Sequence, residues 1–144
     1  MPEYVVDTSV AIKWVVGRGE ADVQQAQRLL SAFQRQDCTL VSPELLFIEF
    51  ANALATGHRR ELTEVRLAIG FLNDLGIQVA PVSWSALNRA IEIAVSKKVT
   101  VYDSCFLAVA ESLRAMLVTA DEKFLRYIGP HPNVIALGNL RLPD

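Results

Sequence analysis

The chain has 144 residues, 51% of them hydrophobic, two cysteines and a net charge of −2. That length and apolar content predict one domain spanning residues 1–144 with a substantial core, in which Cys38 and Cys105 are buried free thiols rather than a disulfide. The balanced charge excludes a global basic field for nucleic acid, no apolar run approaches the roughly 18 residues of a membrane span, and Pro2-Glu3 does not begin a signal peptide, so a cytoplasmic protein with no membrane association is expected.

Tyr4-Val5-Val6 reads as a buried strand, and Asp7-Thr8-Ser9 behind it as the start of a helix. Ligands of open parallel sheets bind at the carboxyl ends of the strands, so Asp7 either faces a site or caps that helix. Val10 to Val16 continues as a short apolar helix ending at Gly17-Arg18-Gly19. Glu20 to Gln36 then places Val23, Ala26, Leu29, Leu30 and Phe33 at helical spacing. Cys38 to Val41 is a second strand, and Ser42-Pro43-Glu44 reads as a helix start with Ser42 capping and Pro43 at the first position.

From Glu44 to about Thr56 the apolar residues run around the whole helix, which predicts burial on several sides. Glu49, Asn52 and Thr56 form its narrow polar stripe. Leu62 to Leu75 is an amphipathic helix closed by Gly76, Ile77 to Ala80 a third strand, and Ser83 to Lys97 a further amphipathic helix. Trp14 and Trp84 are assigned to core or interface packing. Val99 to Tyr102 reads as extended, after which Asp103-Ser104 opens a helix to about Arg114 that is apolar on every side. Met116 to Val118 is a fourth strand running into Thr119-Ala120-Asp121. A short helix from Glu122 to Tyr127, a turn at Gly129-Pro130-His131-Pro132, a last strand from Val134 to Leu137 and a loose tail complete the chain. The alternation predicts an α/β fold with a mostly parallel sheet of about five strands flanked by helices.

Four carboxylates stand out by position. Asp7 and Asp121 each follow a buried strand, Asp103 begins an apolar helix, and Glu49 lies on the polar stripe of another. Strand ends and helix starts on one side of a parallel sheet can converge. Two like charges about 4 Å apart repel by roughly 4 kcal/mol at an effective dielectric of about 20, so such a cluster needs a cation or must hold protons. Oxygen-only ligands select a hard ion, Mg2+ or Mn2+, and neither His58 nor His131 has a partner at zinc-ligand spacing. Basic contacts for a phosphate chain would come from His58-Arg59-Arg60 or Lys97-Lys98, or these clusters are solvated surface.

Val6-Asp7-Thr8-Ser9, Pro43-Glu44-Leu45-Leu46 with Glu49 and Asn52, Tyr102-Asp103-Ser104 with Ala108 and Ala110, and Thr119-Ala120-Asp121 together resemble the PIN-domain ribonucleases, most of all the VapC-type toxins of prokaryotic toxin–antitoxin pairs. The resemblance covers essentially the whole chain in order. It implies an Mg2+- or Mn2+-dependent endoribonuclease whose metal site is built from Asp7, Glu49, Asp103 and Asp121. Ser9, Asn52 and Thr119 would either hold those carboxylates from behind or serve as caps and turns. A cognate antitoxin is implied as partner, and a homodimer is expected both from the resemblance and from the two helices that are apolar all round. The alternative is a catalytically silent PIN-like module that binds metal or a partner. An aspartyl-phosphate phosphatase is disfavoured by Ser9, two residues after Asp7, where such enzymes carry a second Asp, and a receiver module by the lack of an acidic pair before Asp7.

Overall fold

The structure, a computed structural model, describes residues 1–19 and 21–142. Five strands, β1 (Glu3–Val6), β2 (Thr39–Pro43), β3 (Gln78–Ala80), β4 (Met116–Thr119) and β5 (Val134–Ala136), form one sheet in the order β3-β2-β1-β4-β5, every pair parallel. The helices are α1 (Thr8–Ala11, continued by a 3-10 turn Ile12–Trp14), α2 (Val23–Gln34), α3 (Leu45–Asn52, extended by a π-type turn Ala53–Gly57), α4 (Leu62–Asp74), α5 (Trp84–Lys97), α6 (Val101–Leu113) and α7 (Glu122–Ile128). The expected parallel α/β architecture is therefore the observed one. The Glu20 end of the helix expected from Glu20 to Gln36 lies outside the described residues, as do Pro143 and Asp144 of the expected tail.

The strand order fixes where a site can form. From β1 the chain steps to β2 and β3 on one side, then crosses back to place β4 and β5 on the other. The switch point lies between β1 and β4, and the crevice beyond their carboxyl ends is where such sheets open to ligands. Val6 pairs with Val118, so the next residues of each strand, Asp7 and Thr119, come out side by side.

Burial explains the element assignments. Seven consecutive α6 residues, Ser104 to Ala110, are buried, because α6 packs on β1, β2 and β4 with α5 against its other flank. Phe106 and Leu107 alone contribute about 1.5–3 kcal/mol each by the usual burial scale. Cys38 and Cys105 are buried and free, as expected.

Three local expectations are corrected. Ser42 does not cap α3; it lies in β2, and its hydroxyl donates to the Val6 carbonyl at 2.7 Å, tying β2 to β1. The Val99–Tyr102 stretch is not extended throughout: Thr100 is the N-cap of α6, its Oγ1 accepting from the Asp103 N–H at 3.0 Å, so Val101 and Tyr102 are already helical. On α3 only Leu46 and Phe50 are buried, with Leu54 in the turn beyond, while Ile48 is 64% exposed. Trp14 is buried and donates Nε1–H to the Ala26 carbonyl, whereas Trp84 is 77% exposed and lies outside the core.

Candidate metal and substrate site

Asp7 occupies the N-cap position of α1, yet its side chain makes no capping bond. Its carboxylate turns instead toward the switch point. Oδ1 accepts from the Ser9 hydroxyl at 2.5 Å and Oδ2 from the Thr119 hydroxyl at 2.5 Å. Each hydroxyl has one proton, so with both committed to Asp7 the 3.3 Å approach of Ser9 Oγ to Thr119 Oγ1 adds no second bond. The same two oxygens accept backbone N–H groups, Ser9 Oγ from Ala120 at 2.8 Å and Thr119 Oγ1 from Asp121 at 3.1 Å. Strand β4 and its following turn are thereby locked to the carboxylate of β1.

The remaining acids stand around this one. Glu49, on α3, accepts the Thr8 hydroxyl on Oε1 at 2.8 Å. Asp103 lies in the first turn of α6, oriented by the Thr100 cap. Asp121 caps α7, its Oδ1 accepting from the Phe124 N–H at 3.0 Å, so capping describes Asp121 where it does not describe Asp7. The Thr56 hydroxyl donates to the main-chain carbonyl of Asn52 at 2.7 Å and stands 3.3 Å from its Oδ1, so the neighbour of Asn52 is Thr56 rather than any of the acids.

Electrostatics joins what the hydrogen bonds leave separate. The Asp7 carboxyl is raised to about 6, chiefly by burial, with the Ser9 and Thr119 hydroxyls pulling it down and the charges of Asp103 and Asp121 pushing it up. Glu49 is raised by burial, against its Thr8 bond, and by the charge of Asp103. Asp103 is raised by burial, against its Thr100 bond, and by Asp121. The Cys105 thiol is also raised by burial and by Glu49, which keeps it protonated. The charge of Asp103 thus reaches Asp7 and Glu49, and that of Asp121 reaches Asp7 and Asp103; among the described residues none of the four acids is ion-paired with a basic side chain.

Among the described residues no three His, Cys, Asp or Glu side chains are drawn together as a closed ligand cluster. Two of the acids are held by local hydrogen bonds, Glu49 by the Thr8 hydroxyl and Asp121 by the Phe124 N–H. The donor set is oxygen-only, which matches Mg2+ or Mn2+ and not a soft ion.

Two grooves adjoin the acids. A cleft of about 300 Å3 is lined by Asp103, Asp121, Thr100, Lys98, Lys123 and Tyr127. A groove of about 440 Å3 along α3 contains Glu49, Thr8, Asn52, Ile48 and Tyr102. Lys98 of the two candidate basic clusters therefore reaches the site, while His58, Arg59 and Arg60 line neither groove, Arg60 facing Glu64 at 3.4 Å. A larger cavity of about 750 Å3, between α2 and the segment around Leu140, touches none of the acids. Sequence reasoning missed Lys123 and quoted Tyr102 only as part of the Tyr102-Asp103-Ser104 motif, without a role, although each stands within two positions of a singled-out aspartate.

The sequence profile of the PIN domain matches residues 4–129. No curated protein matches the chain in sequence at a significant level. Among solved structures, a protein of Pyrobaculum aerophilum superposes with a TM-score of 0.66 at 21% identity, covering 95% of this chain and 92% of its own. A toxin–antitoxin complex from Klebsiella pneumoniae gives 0.63 at 19% identity, with 93% and 97% covered. VapC20 of Mycobacterium tuberculosis, a toxin that cleaves the sarcin-ricin loop, gives 0.67 at 17% identity, with 85% and 93% covered.

Proposed function

We propose, on the premise that this chain belongs to the PIN-domain family, that it is an Mg2+- or Mn2+-dependent endoribonuclease and the toxin of a prokaryotic toxin–antitoxin pair, its residues 1–144 acting as a single cytoplasmic domain. What supports this reading is Asp7 at the sheet's switch point, with the charges of Asp103 and Asp121 acting on it and that of Asp103 acting on Glu49, none of the four acids having a basic partner among the described residues. Among the described residues no helix is long and apolar enough to cross a membrane.

Asp7, Glu49, Asp103 and Asp121 would hold the ion. When bound, it supplies activation of water and offsets charge developing on the phosphate oxygens. The rest falls to the chain. Ser9 and Thr119 keep both Asp7 oxygens aimed outward from β1 and favour its ionised form. Thr8 holds Glu49, and the Thr100 cap fixes the first turn of α6 from which Asp103 projects. Lys98 and Lys123 flank Asp103 and Asp121 and would anchor a phosphodiester whose charge the acids alone would repel.

The Klebsiella pneumoniae neighbour is a toxin–antitoxin complex, which supports an antitoxin as the partner here. A homodimer completes the proposed assembly.

The test is incubation of structured and single-stranded RNAs with the protein in Mg2+, in Mn2+ and in chelator. Cleavage that requires the metal and disappears in Asp7→Asn and Asp103→Asn is expected. Metal binding without cleavage of any RNA would favour the catalytically silent module instead.

A further inference from the structure

Asp103 and Asp121 line one groove and Glu49 another; the first also holds an aromatic ring, Tyr127, but the Arg126 guanidinium lies over it, 5.8 Å from the ring centroid. On the Asp121 side the cleft carries Lys98 and Lys123. On the Glu49 side the groove is lined by Leu45, Ile48, Ala53 and Tyr102 and edged by Asn52. Tyr102 directly precedes Asp103 on α6, so an aromatic ring and an acid of the site are fixed at adjacent positions of one rigid helix. Leu45 and Ala53 pack against the core, but Tyr102 and Ile48 are each 64% exposed and belong to neither hydrophobic core cluster, so core packing gives no reason for these two side chains. A single-stranded polynucleotide has both complements: phosphates that match the lysines, and base faces that match an exposed aromatic ring.

We propose that the groove of Tyr102 and Ile48 is a nucleobase subsite. The base flanking the scissile phosphate stacks on the Tyr102 ring, while the sugar-phosphate chain crosses the acids toward Lys98 and Lys123. Stacking accepts any base, but the Asn52 carboxamide at the groove's edge offers a donor and an acceptor to a base edge, so this groove is also where a sequence preference of cleavage arises. The inference rests on the nuclease reading above and adds to it the side on which the base is held.

The test is equilibrium binding, by fluorescence anisotropy in chelator so that no strand is cut, of short labelled oligouridylate, oligoadenylate and an abasic ribose-phosphate strand of equal length. Wild type is expected to bind the two base-bearing strands more tightly than the abasic one. Tyr102→Ala should weaken the base-bearing strands about tenfold and leave the abasic strand unchanged, and Tyr102→Phe should retain wild-type binding. Lys98→Ala should weaken all three alike. Equal binding of all strands by wild type, or a uniform loss in Tyr102→Ala, would overturn the subsite. So would a change in oligomeric mass of Tyr102→Ala by light scattering, since the groove would then be a protein interface. If wild type bound no strand either in chelator or in Mg2+, the nuclease reading would fall and the subsite with it.

Discussion

At the residue scale, Asp7 is the acid whose ionised form the fold disfavours most plainly. Its carboxyl is raised from the ordinary 3.8 to about 6, so between those values the folded chain holds a proton that the unfolded chain has released. Stability therefore falls as pH rises through that window, and a shift of this size corresponds to about 3 kcal/mol of lost stability at pH 7. Glu49 and Asp103 are raised too and act in the same direction. In chelator the thermal midpoint should be higher near pH 5 than near pH 7, and Asp7→Asn should be more stable than wild type at pH 7 with a shallower decline. Parallel pH profiles for the two proteins would contradict this. Thr119 gives a second residue-level prediction: it is fully buried and donates to Asp7, which lowers that carboxyl. Thr119→Val removes the donor while keeping the shape, so the acid limb of the RNA-cleavage profile should move to higher pH and metal affinity should drop about 10–100-fold. An unmoved acid limb would show that the hydroxyl does not tune the carboxylate.

These roles were unequally legible. The sequence left Asp7 open between a site and a cap, and the register of β1 on β4 is what turns it toward Thr119. Asp121, read the same way from the same kind of position, caps α7 as well as standing beside the other acids. Asn52 was chosen for its place on a polar stripe, but spacing on one helix does not say which neighbour an amide meets, and here that neighbour is Thr56.

At the element scale, apolar runs and periodicities anticipated the five strands and seven α-helices but not the 3-10 turn Leu137–Asn139, which falls on the expected strand end and tail, while the boundaries depended on side-chain hydrogen bonds that a pattern of apolar residues does not encode. Thr100 and Val101 favour extended backbone by their β-branching, but the Thr100 cap and the buried run from Ser104 to Ala110 draw Val101 and Tyr102 into α6. Thr100→Ala should cost about 0.5–2 kcal/mol in chemical denaturation and, by loosening the turn that carries Asp103, lower cleavage more than that loss of stability explains. A variant with wild-type cleavage and the full loss of stability would separate the cap from the site. Ser42 shows the converse. A Ser-Pro-Glu run has the composition of a helix start, yet the sheet claims Ser42 because Val5 pairs with Val41 and the next hydroxyl meets the Val6 carbonyl.

At the scale of the whole molecule, parallel α/β class could be read from alternation, but strand order could not, and strand order is what brings residues about a hundred positions apart to one crevice. The expectation of a partner also changes ground. α6 is apolar all round because this chain's own sheet and α5 enclose it, so it makes no demand on a second subunit. The apolar surface left open for a partner lies elsewhere, on Leu62 and Leu67 of α4 and Trp84, Ile91 and Val95 of α5. Light scattering is expected to give a dimer mass for the isolated protein, and Trp84→Ser with Val95→Ser to shift it toward monomer without lowering the thermal midpoint. A wild-type monomer at micromolar concentration would remove the homodimer from the account.

The central claim is that acids from four separate elements form one divalent-ion site. It is tested most directly by calorimetric titration of Mn2+ into wild type, Asp7→Asn and Asp103→Asn at pH 7, each shown to be folded by its melting curve. The account predicts saturable binding by wild type and a weakening of tenfold or more, about 1.4 kcal/mol, in both variants although Asp7 stands at the start of α1 and Asp103 in the first turn of α6. Wild-type affinity retained by either folded variant would mean that the acids do not share an ion.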